Sequence, residues 1–597
     1  MLAAGLLAGG VLAFGLLFSV WPWRLAPVPV GGALFSLVVI AGWLTGRRPS
    51  LPRRWLGSDV VVLGSGLFAF LAAYAPIAGK PLAKRFSFSA VTTDRLNHFA
   101  LFDTIHRLGG YAFLHQSQAG VFVRYPTAVA YPSGSHFLYA VFDIFLRSTT
   151  DPGAAVAEFS RYFVYVLAGY AFLVMALVWA ARWIAGPLMA GWRQVLICSA
   201  VAGLALGGPL VQMVKLGLDS EILGLAFLAL AVAVTVRPPR VVHEQVLIVS
   251  ALLIAVAYCY NLDAAVAGLG IVAVAVVYRR RLLRHWRFTV AVGALGVVIA
   301  AFPSALSLTS GFNAQVQVLS PRGYMVAVPG WLLAGLALII VATMTSASSR
   351  RLPGWRAMTF YLGAAVFVLG AFAFFQEAEA GRTGYYFGKL LMAGYVVGLV
   401  GLGALGTFSR GLPAPSRPRR RLNRLREAPL AILSGAIALI LTAGFHTGIQ
   451  PTIGHPVAWP ESPLGSWSAG QVPPFAGPSL AVLADAHVLG DGVPTLVLSG
   501  INGIGWYDSY MAAVLNRDLS AMIGPLNAVK GARFYSAPTS SVALTEGISE
   551  VQAAIRASRF PLHLIVAYPQ FAAKLDAMLT AHPSVKATVA VLPGLKG

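Results

Sequence analysis

Long apolar segments recur along most of this chain and constrain its fold more than any other feature. Most of them approach the roughly 20 apolar residues with which an α-helix crosses the hydrocarbon core of a bilayer. Only 11% of the residues are charged, against about 25% in an ordinary soluble domain. We therefore expect a polytopic α-helical membrane protein with about 13 transmembrane helices. The predicted spans are residues 2–20, 28–44, 60–78, 162–181, 195–214, 218–236, 246–260, 264–278, 288–308, 331–345, 359–375, 390–408 and 430–445.

The first span is predicted to be a retained helix rather than a signal peptide. Residues 1–20 lack a basic n-region, and no small-residue cleavage site precedes the second span. A basic n-region and a small-residue cleavage site are both typical of cleaved signal peptides. We therefore count this segment among the transmembrane helices.

Basic residues cluster between the spans and predict the orientation of the chain. Cytoplasmic loops are enriched in Lys and Arg, so we expect a cytoplasmic N-terminus and a long external loop after the third span. The net charge of +23 accompanies no basic domain or nucleic-acid-binding motif, so no nucleic-acid partner is expected. The clusters fall within residues 47–54, 237–240, 279–287, 350–356 and 410–426.

The external loop, residues 79–160, holds most of the candidate chemistry. It is too aromatic and too apolar for a solvated linker, and loops longer than about 12–15 residues in a compact protein are usually functional or disordered. Two short helices are predicted at the membrane surface within it, over residues 95–108 and 133–146. The second, at about 14 residues, suits an interfacial or re-entrant helix rather than a span.

The composition changes after residue 446, where the predicted transmembrane domain 1–446 ends. Residues 447–478 form a Pro-rich linker in this interpretation. Helical and strand patterns then alternate through residues 479–597, which predicts a small α/β domain outside the cytoplasm. Buried strands are predicted at residues 495–499 and 562–567, and helices at 548–557 and 572–581.

Asp94 is the leading candidate for chemistry in the loop. It lies just before the first short helix, and a carboxylate near the membrane is costly unless it is solvated, paired or used. The alternative is helix capping, in which its side chain accepts hydrogen bonds from the first turn. His98, one turn further on, could face the same cavity or simply pack. Asp103 and His106 are three residues apart and are expected to hydrogen-bond to each other.

A second polar segment, Tyr131-Pro132-Ser133-Gly134-Ser135-His136, predicts a turn into the second short helix. Ser133 or Ser135 could cap that helix. Lys215 and Asp219, which are four residues apart, are expected to pair. Glu221 and Asp263 are further acidic residues at the ends of spans.

A third polar segment is the external turn at residues 376–389. Arg382 and Lys389 could lie on one helix face and bind a phosphate, for which Arg and Lys are the usual partners. The alternative is that Lys389 and the tyrosines anchor the helix at the membrane interface. The same turn contains Glu377, Tyr385 and Tyr386.

These features together resemble the GT-C superfamily of integral-membrane glycosyltransferases. The resemblance lies in the acidic external loop with two surface helices, the Tyr-Pro-Ser-Gly-Ser-His segment, the many spans and the external C-terminal domain. The Ala- and Gly-rich, Arg-biased composition resembles that of a high-GC bacterium, and within the superfamily the chain most resembles actinobacterial envelope arabinofuranosyl- and mannosyltransferases. The chain differs in having three predicted spans before the loop, where the family commonly has one. It also has a single Asp94 where many members have an adjacent acidic pair.

The resemblance implies an activity at the outer face of a bacterial plasma membrane. A sugar, with arabinofuranose or mannose favoured, would pass with inversion from a polyprenyl-phosphate carrier to an envelope glycan or glycolipid acceptor. Asp94 would be the general base, and cations would stabilise the departing phosphate. The implied phosphate ligands are Arg382, Lys389 and Arg95, with Lys215 in reserve. The implied substrate-binding residues are His98, His136, Tyr385, Tyr386 and Glu377.

The same resemblance implies no obligatory cofactor, with a divalent cation as the alternative. Cys198 and Cys259 both fall in apolar spans, so neither a disulfide framework nor a Cys-ligated metal is indicated. In the C-terminal domain, Trp506, Tyr507 and Tyr510 could stack on acceptor sugars or pack in the core.

Two other classes of function compete with a transferase. A transporter or lipid-linked-sugar flippase often has ionisable residues near the midplane and related halves, whereas here the polar groups gather at external ends and no half-repeat is evident. The second competing class is a membrane scaffold that has no catalytic activity. Mutation of Asp94 separates a transferase, which loses turnover, from a scaffold, which keeps its partners.

Overall fold

The structure is a computed structural model, and its helices are labelled in chain order. It describes residues 1–46, 57–90, 92–123, 129, 131–186, 191–309, 319, 325, 328, 330–345, 352–405, 463–470, 477–498, 505–529 and 541–595. The bundle contains α1 (Leu2–Val20), α2 (Pro27–Thr45), α3 (Gly57–Tyr74), α8 (Ala155–Ala185), α9 (Gly191–Gly207), α10 (Val211–Leu216), α11 (Asp219–Val236), α12 (Val242–Cys259), α13 (Asn261–Val277), α14 (Arg279–Leu283), α15 (Trp286–Thr309), α16 (Gly330–Thr345), α17 (Pro353–Ala380) and α18 (Tyr385–Gly401).

The chain is a polytopic helical membrane protein, as the apolar segments predict. Within the described ranges, ten helices are long and apolar enough to cross a membrane. Two other predicted spans correspond to the apolar helices α13 and α16, which have 17 and 16 residues. The predicted span at 430–445 lies outside the described residues, so the count of about 13 stays a prediction.

Helix α11 forms the centre of the bundle. All of its residues are buried, and it packs against α8, α12, α13 and α18. A helix that is apolar all round is one that other helices surround. Its first turn nevertheless begins with Asp219 and Glu221, so two carboxylates lie inside one end of the bundle.

Helix α1 lies directly against α12 through Gly9. A Cβ atom at that position would lie 2.1 Å from the carbonyl oxygen of Ala251. Only glycine therefore permits this backbone approach.

The loop at residues 79–160 contains α4 (Leu82–Ser89), α5 (Thr93–Leu108), α6 (Gln116–Ala119) and α7 (Gly134–Arg147). Helices α5 and α7 lie where the two short helices are predicted. However, α5 is buried along most of its length rather than lying on a surface. The reason is that later segments cover it: the hydroxyl of Tyr507 donates to the carbonyl of Ala90 at 2.7 Å, and that of Tyr510 donates to the Asn97 side chain.

The C-terminal residues form a three-stranded parallel sheet in the order β1-β2-β3. Leu498 pairs with Val566, and Leu562 pairs with Ala587. Parallel strands need crossover connections, which helices usually provide. The first two strands and the helices that end at Ala557 and Ala581 correspond to predicted elements; β3 does not. The elements are α20 (Gly477–Asp485), β1 (Thr495–Leu498), α21 (Gly505–Leu515), α22 (Leu519–Ala528), α23 (Ser541–Ala557), β2 (Leu562–Val566), α24 (Pro569–Ala581) and β3 (Ala587–Val591).

Part of the predicted linker is a docked helix. Residues Pro463–Ser468 form α19, and the fully buried Trp467 donates from its indole to the carbonyl of Ala73 at 2.9 Å. Beside it, the Lys215 ammonium donates to the hydroxyl of Ser466 at 2.8 Å. Much of the rest of the linker, residues 447–462 and 471–476, lies outside the described residues. Helix α20 packs against α4, and α21 packs against both α5 and β1, so the C-terminal sheet lies at the same end of the bundle as the loop.

An ion-pair cluster joins α5, α8 and the C-terminal unit, which comprises α20–α24 and the sheet β1–β3. The Arg517 guanidinium lies 3.0 Å from Asp103 Oδ1 and 2.8 Å from Glu158 Oε2. His106 Nδ1 lies 3.1 Å from Glu158 Oε1. The predicted hydrogen bond between Asp103 and His106 is therefore wrong, because both side chains turn to partners from distant segments.

Candidate functional site

Asp94 lies in the first turn of α5 but does not cap it. The cap is Thr92, whose hydroxyl accepts from the backbone N–H of Arg95 at 3.5 Å and donates to the carbonyl of Leu216 at 2.9 Å. Gly217, at φ +71°, permits this contact, since a Cβ there would lie 2.4 Å from the Thr92 hydroxyl. The capping interpretation of Asp94 is wrong, and its carboxylate is left for another role.

The carboxylate of Asp94 faces the start of α18. The hydroxyl of Tyr385 donates to Asp94 Oδ2 at 3.3 Å, and the side chain is partly exposed. Burial raises the pKa of the Asp94 carboxyl above its ordinary value, while the charge of Lys389 and the Tyr385 hydrogen bond act to lower it. A residue of the loop at 79–160 and a residue of the turn at 376–389, 291 positions apart in the chain, thus meet at one site.

Lys389 supplies the positive charge of this site. Its ammonium is mostly buried and lies 3.7 Å from Glu221 Oε2. Three aromatic rings surround it, with centroid distances of 5.1 Å to Tyr260, 4.6 Å to Tyr385 and 5.8 Å to Tyr386. Aromatic faces attract a cation, so this cage stabilises a buried ammonium whose ion-pair partner among the described residues, Glu221, is 3.7 Å away.

Two buried carboxylates adjoin the cage. Glu221 and Asp263 are both fully buried, and among the described residues no donor hydrogen-bonds to either carboxyl group. The charge of Glu221 acts on Asp263, and so does that of Lys389. Burying an ionised carboxylate without hydrogen bonds is costly, so this pair favours a proton, a cation or a polar substrate group.

A histidine pair forms the other side of the site. His136 Nε2 lies 2.9 Å from His98 Nδ1, and their rings stack with centroids 4.9 Å apart. Burial, followed by the charges of Lys389 and Arg95, lowers the pKa of His98 to about 3. Burial likewise holds the pKa of His136 well below its usual value. Both imidazoles are therefore neutral at physiological pH and act as hydrogen-bonding groups.

The entry to α7 is anchored to the first turn of α11. The Tyr131 hydroxyl lies 3.0 Å from the Ser220 hydroxyl, and Ser135 donates to the Ser220 carbonyl at 3.0 Å. Ser133 is the N-cap residue but its side chain makes no capping hydrogen bond. The predicted turn is thus a positioning element for His136. Residues 124–128, which include Tyr125 and Pro126 of the predicted turn, lie outside the described residues.

Arg95 is held in the protein interior. Its fully buried guanidinium lies 3.1 Å from Asp219 Oδ1, and it also donates to the carbonyls of Phe88 and Ser89 at 3.3 Å. The Tyr162 hydroxyl completes the shell of Asp219 at 2.9 Å. These contacts give Arg95 a structural role instead of the implied phosphate-binding role. The expected pairing of Lys215 with Asp219 is wrong, because the Arg95 guanidinium pairs with the Asp219 carboxylate.

Two residues of the turn at 376–389 lie away from the site. Arg382 is exposed and precedes the start of α18 at Tyr385, so it does not share a helix face with the buried Lys389. The Glu377 carboxylate accepts from the backbone N–H of Thr383 at 3.0 Å. Glu377 therefore stabilises the turn, and neither residue contacts the cage in this structure.

The aromatic residues of α21 pack within the protein. The Trp506 indole donates to the carbonyl of Leu526 at 3.0 Å and stacks on Tyr510 with centroids 5.5 Å apart. Tyr507 and Tyr510 hydrogen-bond to Ala90 and Asn97 of the loop at residues 79–160, as described above. The packing interpretation of these aromatics therefore holds, and they dock the C-terminal unit onto α5.

Sequence reasoning missed Tyr260 as a member of the cage and Arg517 as the link to the C-terminal unit. Tyr260 follows an apolar span, where an interfacial Tyr is common. Arg517 stands alone between two helices. Neither residue has a local pattern that indicates its partner. Within the described residues, no group of three or more His, Cys, Asp or Glu side chains could hold a metal ion.

Comparisons with known proteins assign no family to the chain. It matches no protein-family model, and no curated protein shows significant similarity to it. The resemblance to GT-C glycosyltransferases therefore rests on the layout and short motifs of the sequence.

Proposed function

We propose that the protein is a membrane glycosyltransferase that moves a sugar from a polyprenyl-phosphate carrier to an envelope glycan or glycolipid acceptor. The observation that carries this proposal is the meeting of Asp94, Tyr385 and Lys389 at the bundle end covered by the loop. A partly exposed carboxylate and a caged ammonium are the two charged groups that such a reaction requires. Arabinofuranose or mannose is the favoured sugar, on the resemblance alone.

The reaction proceeds by a single displacement at the anomeric carbon. The acceptor hydroxyl gives its proton to Asp94 as its oxygen bonds to the anomeric carbon. The bond from that carbon to the phosphate oxygen breaks on the opposite face, which inverts the configuration. The polyprenyl phosphate leaves with the electron pair of that bond, so the donor supplies its own leaving group.

Lys389 stabilises the charge that develops on the departing phosphate. A fixed cation in a site shielded from water is worth far more than one in solution. The three tyrosine rings hold the ammonium in place before the donor arrives. The neutral His98 and His136 and the Tyr385 hydroxyl supply hydrogen bonds to sugar hydroxyls.

A second candidate function is proton- or cation-coupled movement of a lipid-linked sugar. The observation that favours it is the buried pair Glu221 and Asp263, which lack hydrogen-bond donors among the described residues. Ionisable residues inside spans often mark ion or proton paths. In the transferase, the same pair keeps Lys389 ionised and correctly placed.

The proposal is tested with purified full-length protein, a panel of radiolabelled polyprenyl-phosphate sugars and mixed envelope acceptors. We expect one donor to give a labelled product with an inverted anomeric linkage. Product with a retained configuration would contradict the role of Asp94 as a base. Absence of transfer from every donor would favour the transport function.

Transfer should depend on pH through the ionisation of Asp94. The base must be deprotonated, and burial raises its pKa. We therefore expect kcat to fall on acidification at a pH above that at which an ordinary exposed carboxylate is protonated. The pH profile of kcat at saturating donor checks this, and a profile that is flat through the acid range would contradict it.

Replacing Lys389 with Met should lower kcat by about 100-fold, as loss of one fixed electrostatic contact does in other enzymes. The matched control is K389M/E221Q. It also removes the Glu221 carboxylate, which the single change leaves without its cation. If the unpaired Glu221 carboxylate caused the loss of activity, the double variant would recover activity. We expect that it will not, because the phosphate still lacks its cation. Transfer rates under donor saturation distinguish these results.

A further inference from the structure

A basic cavity of about 510 Å³ lies at the end of the bundle opposite to Asp94. It is formed where α13 ends, α14 runs and α17 begins. Among the described residues that line it, none is acidic. Those that matter here are Arg279, Arg280, Arg281, Arg356, Val276 and Phe360.

The four arginines of this cavity carry uncompensated charge. Among the described residues, none of them forms an ion pair with a carboxylate. Arg281 is held in position by its bonds to backbone carbonyls, at 2.9 Å to that of Arg240 and also to that of Pro239. Arg279, Arg280 and Arg356 are exposed. Four like charges around one concavity raise the local concentration of anions, and Arg binds phosphate with a paired set of donors.

An apolar surface continues from the cavity along the bundle. Val276 and Phe360, which line it, are 51% and 46% exposed. Val272 lies one helical turn from Val276 on α13, and Phe367 lies two turns from Phe360 on α17. These two are 63% and 67% exposed. Because α13 and α17 pack side by side, these side chains form one exposed apolar surface, of the kind that contacts lipid in a membrane protein.

We propose that this cavity binds the phosphate headgroup of an anionic phospholipid, with the acyl chains lying along the outer faces of α13 and α17. A charged pocket continuous with an apolar membrane-facing surface suits a lipid better than a free anion. Basic pockets between transmembrane helices on the cytoplasmic side are known headgroup sites. The basic segment 279–287 is predicted to be cytoplasmic, so the lipid comes from the inner leaflet. This site is separate from the proposed transferase centre and does not depend on it.

The test measures lipid binding by the full-length protein in neutral detergent, using native mass spectrometry. The probes are phosphatidylglycerol, phosphatidylcholine and inorganic phosphate. The test variant is R280Q/R356Q. The matched control is R284Q/R287Q, which removes the same charge from the same basic segment outside the cavity lining. Size-exclusion elution and helical circular dichroism confirm that each variant is folded.

We expect selective binding of phosphatidylglycerol and a loss of affinity of about 30-fold in R280Q/R356Q, from about 1 kcal/mol for each basic residue at the membrane surface. The control should retain most of the affinity. Equal loss in both variants, equal binding of phosphatidylcholine, or displacement of the lipid by millimolar inorganic phosphate would overturn the proposal. If R280Q/R356Q does not fold, R280K/R356K and the three probes on the unaltered protein decide the question.

Discussion

Replacing Asp94 with Asn should greatly slow sugar transfer while leaving the fold intact. The amide has the same shape as the carboxylate and still accepts the hydrogen bond from Tyr385. It cannot take a proton from the acceptor hydroxyl. General base catalysis contributes about 10²–10⁴-fold, so kcat should fall by that factor. Initial rates at saturating donor and acceptor measure the effect.

A matched control for this variant is Asp576→Asn, which makes the same chemical change on the exposed surface of α24. The control should transfer sugar at the normal rate. Donor binding, measured with a fluorescent polyprenyl-phosphate analogue, should be retained in Asp94→Asn. Normal turnover by Asp94→Asn would show that another group accepts the proton, and the base would have to be sought among Glu221 and Asp263.

Replacing Arg95 with Met should cause the largest loss of stability. Arg95 and Asp219 are both fully buried, and the change would leave an uncompensated carboxylate inside the bundle. Breaking a buried pair from one side typically costs about 3–5 kcal/mol. The free energy of unfolding in mixed micelles, followed by circular dichroism in denaturant, measures the loss.

Two further variants identify the cause of that loss. Arg107 is an exposed residue on the same helix. Arg107→Met removes a contact with the Phe122 ring and should lower the free energy of unfolding by less than about 1 kcal/mol. The double change R95M/D219N removes both charges and should recover part of the stability. A loss for Arg95→Met no larger than that of Arg107→Met would contradict the interior role of Arg95.

The helical bundle could be predicted from the sequence because hydrophobicity is local. Each apolar segment is long enough to indicate a span by itself, and α5, α7, β1 and β2 also have local patterns. The burial of α5 could not be predicted, since it depends on contacts from Tyr507 and Tyr510, more than 400 positions away. No local pattern carries that information.

The candidate site was predicted in part. Asp94, Lys389 and Tyr385 stand out as polar residues at the ends of apolar segments, and the structure brings them together. Arg95 and Arg382 stand out for the same reason. However, Arg95 is paired with Asp219 in the protein interior, and Arg382 lies before the start of α18. Spacing along the chain identifies charged residues without showing which carboxylate will pair with which cation. Which carboxylate pairs with which cation is decided by tertiary packing.

The most direct test of the account is the stoichiometry of sugar incorporated against polyprenyl phosphate released. The full-length protein is reconstituted in sealed vesicles with a doubly labelled donor, and both products are quantified in one reaction. A transferase releases one free polyprenyl phosphate for each sugar joined to the acceptor, and the rates of formation of both products fall together in Asp94→Asn. Movement of the intact donor across the bilayer, with no polyprenyl phosphate released, would contradict the transferase and favour the transport function.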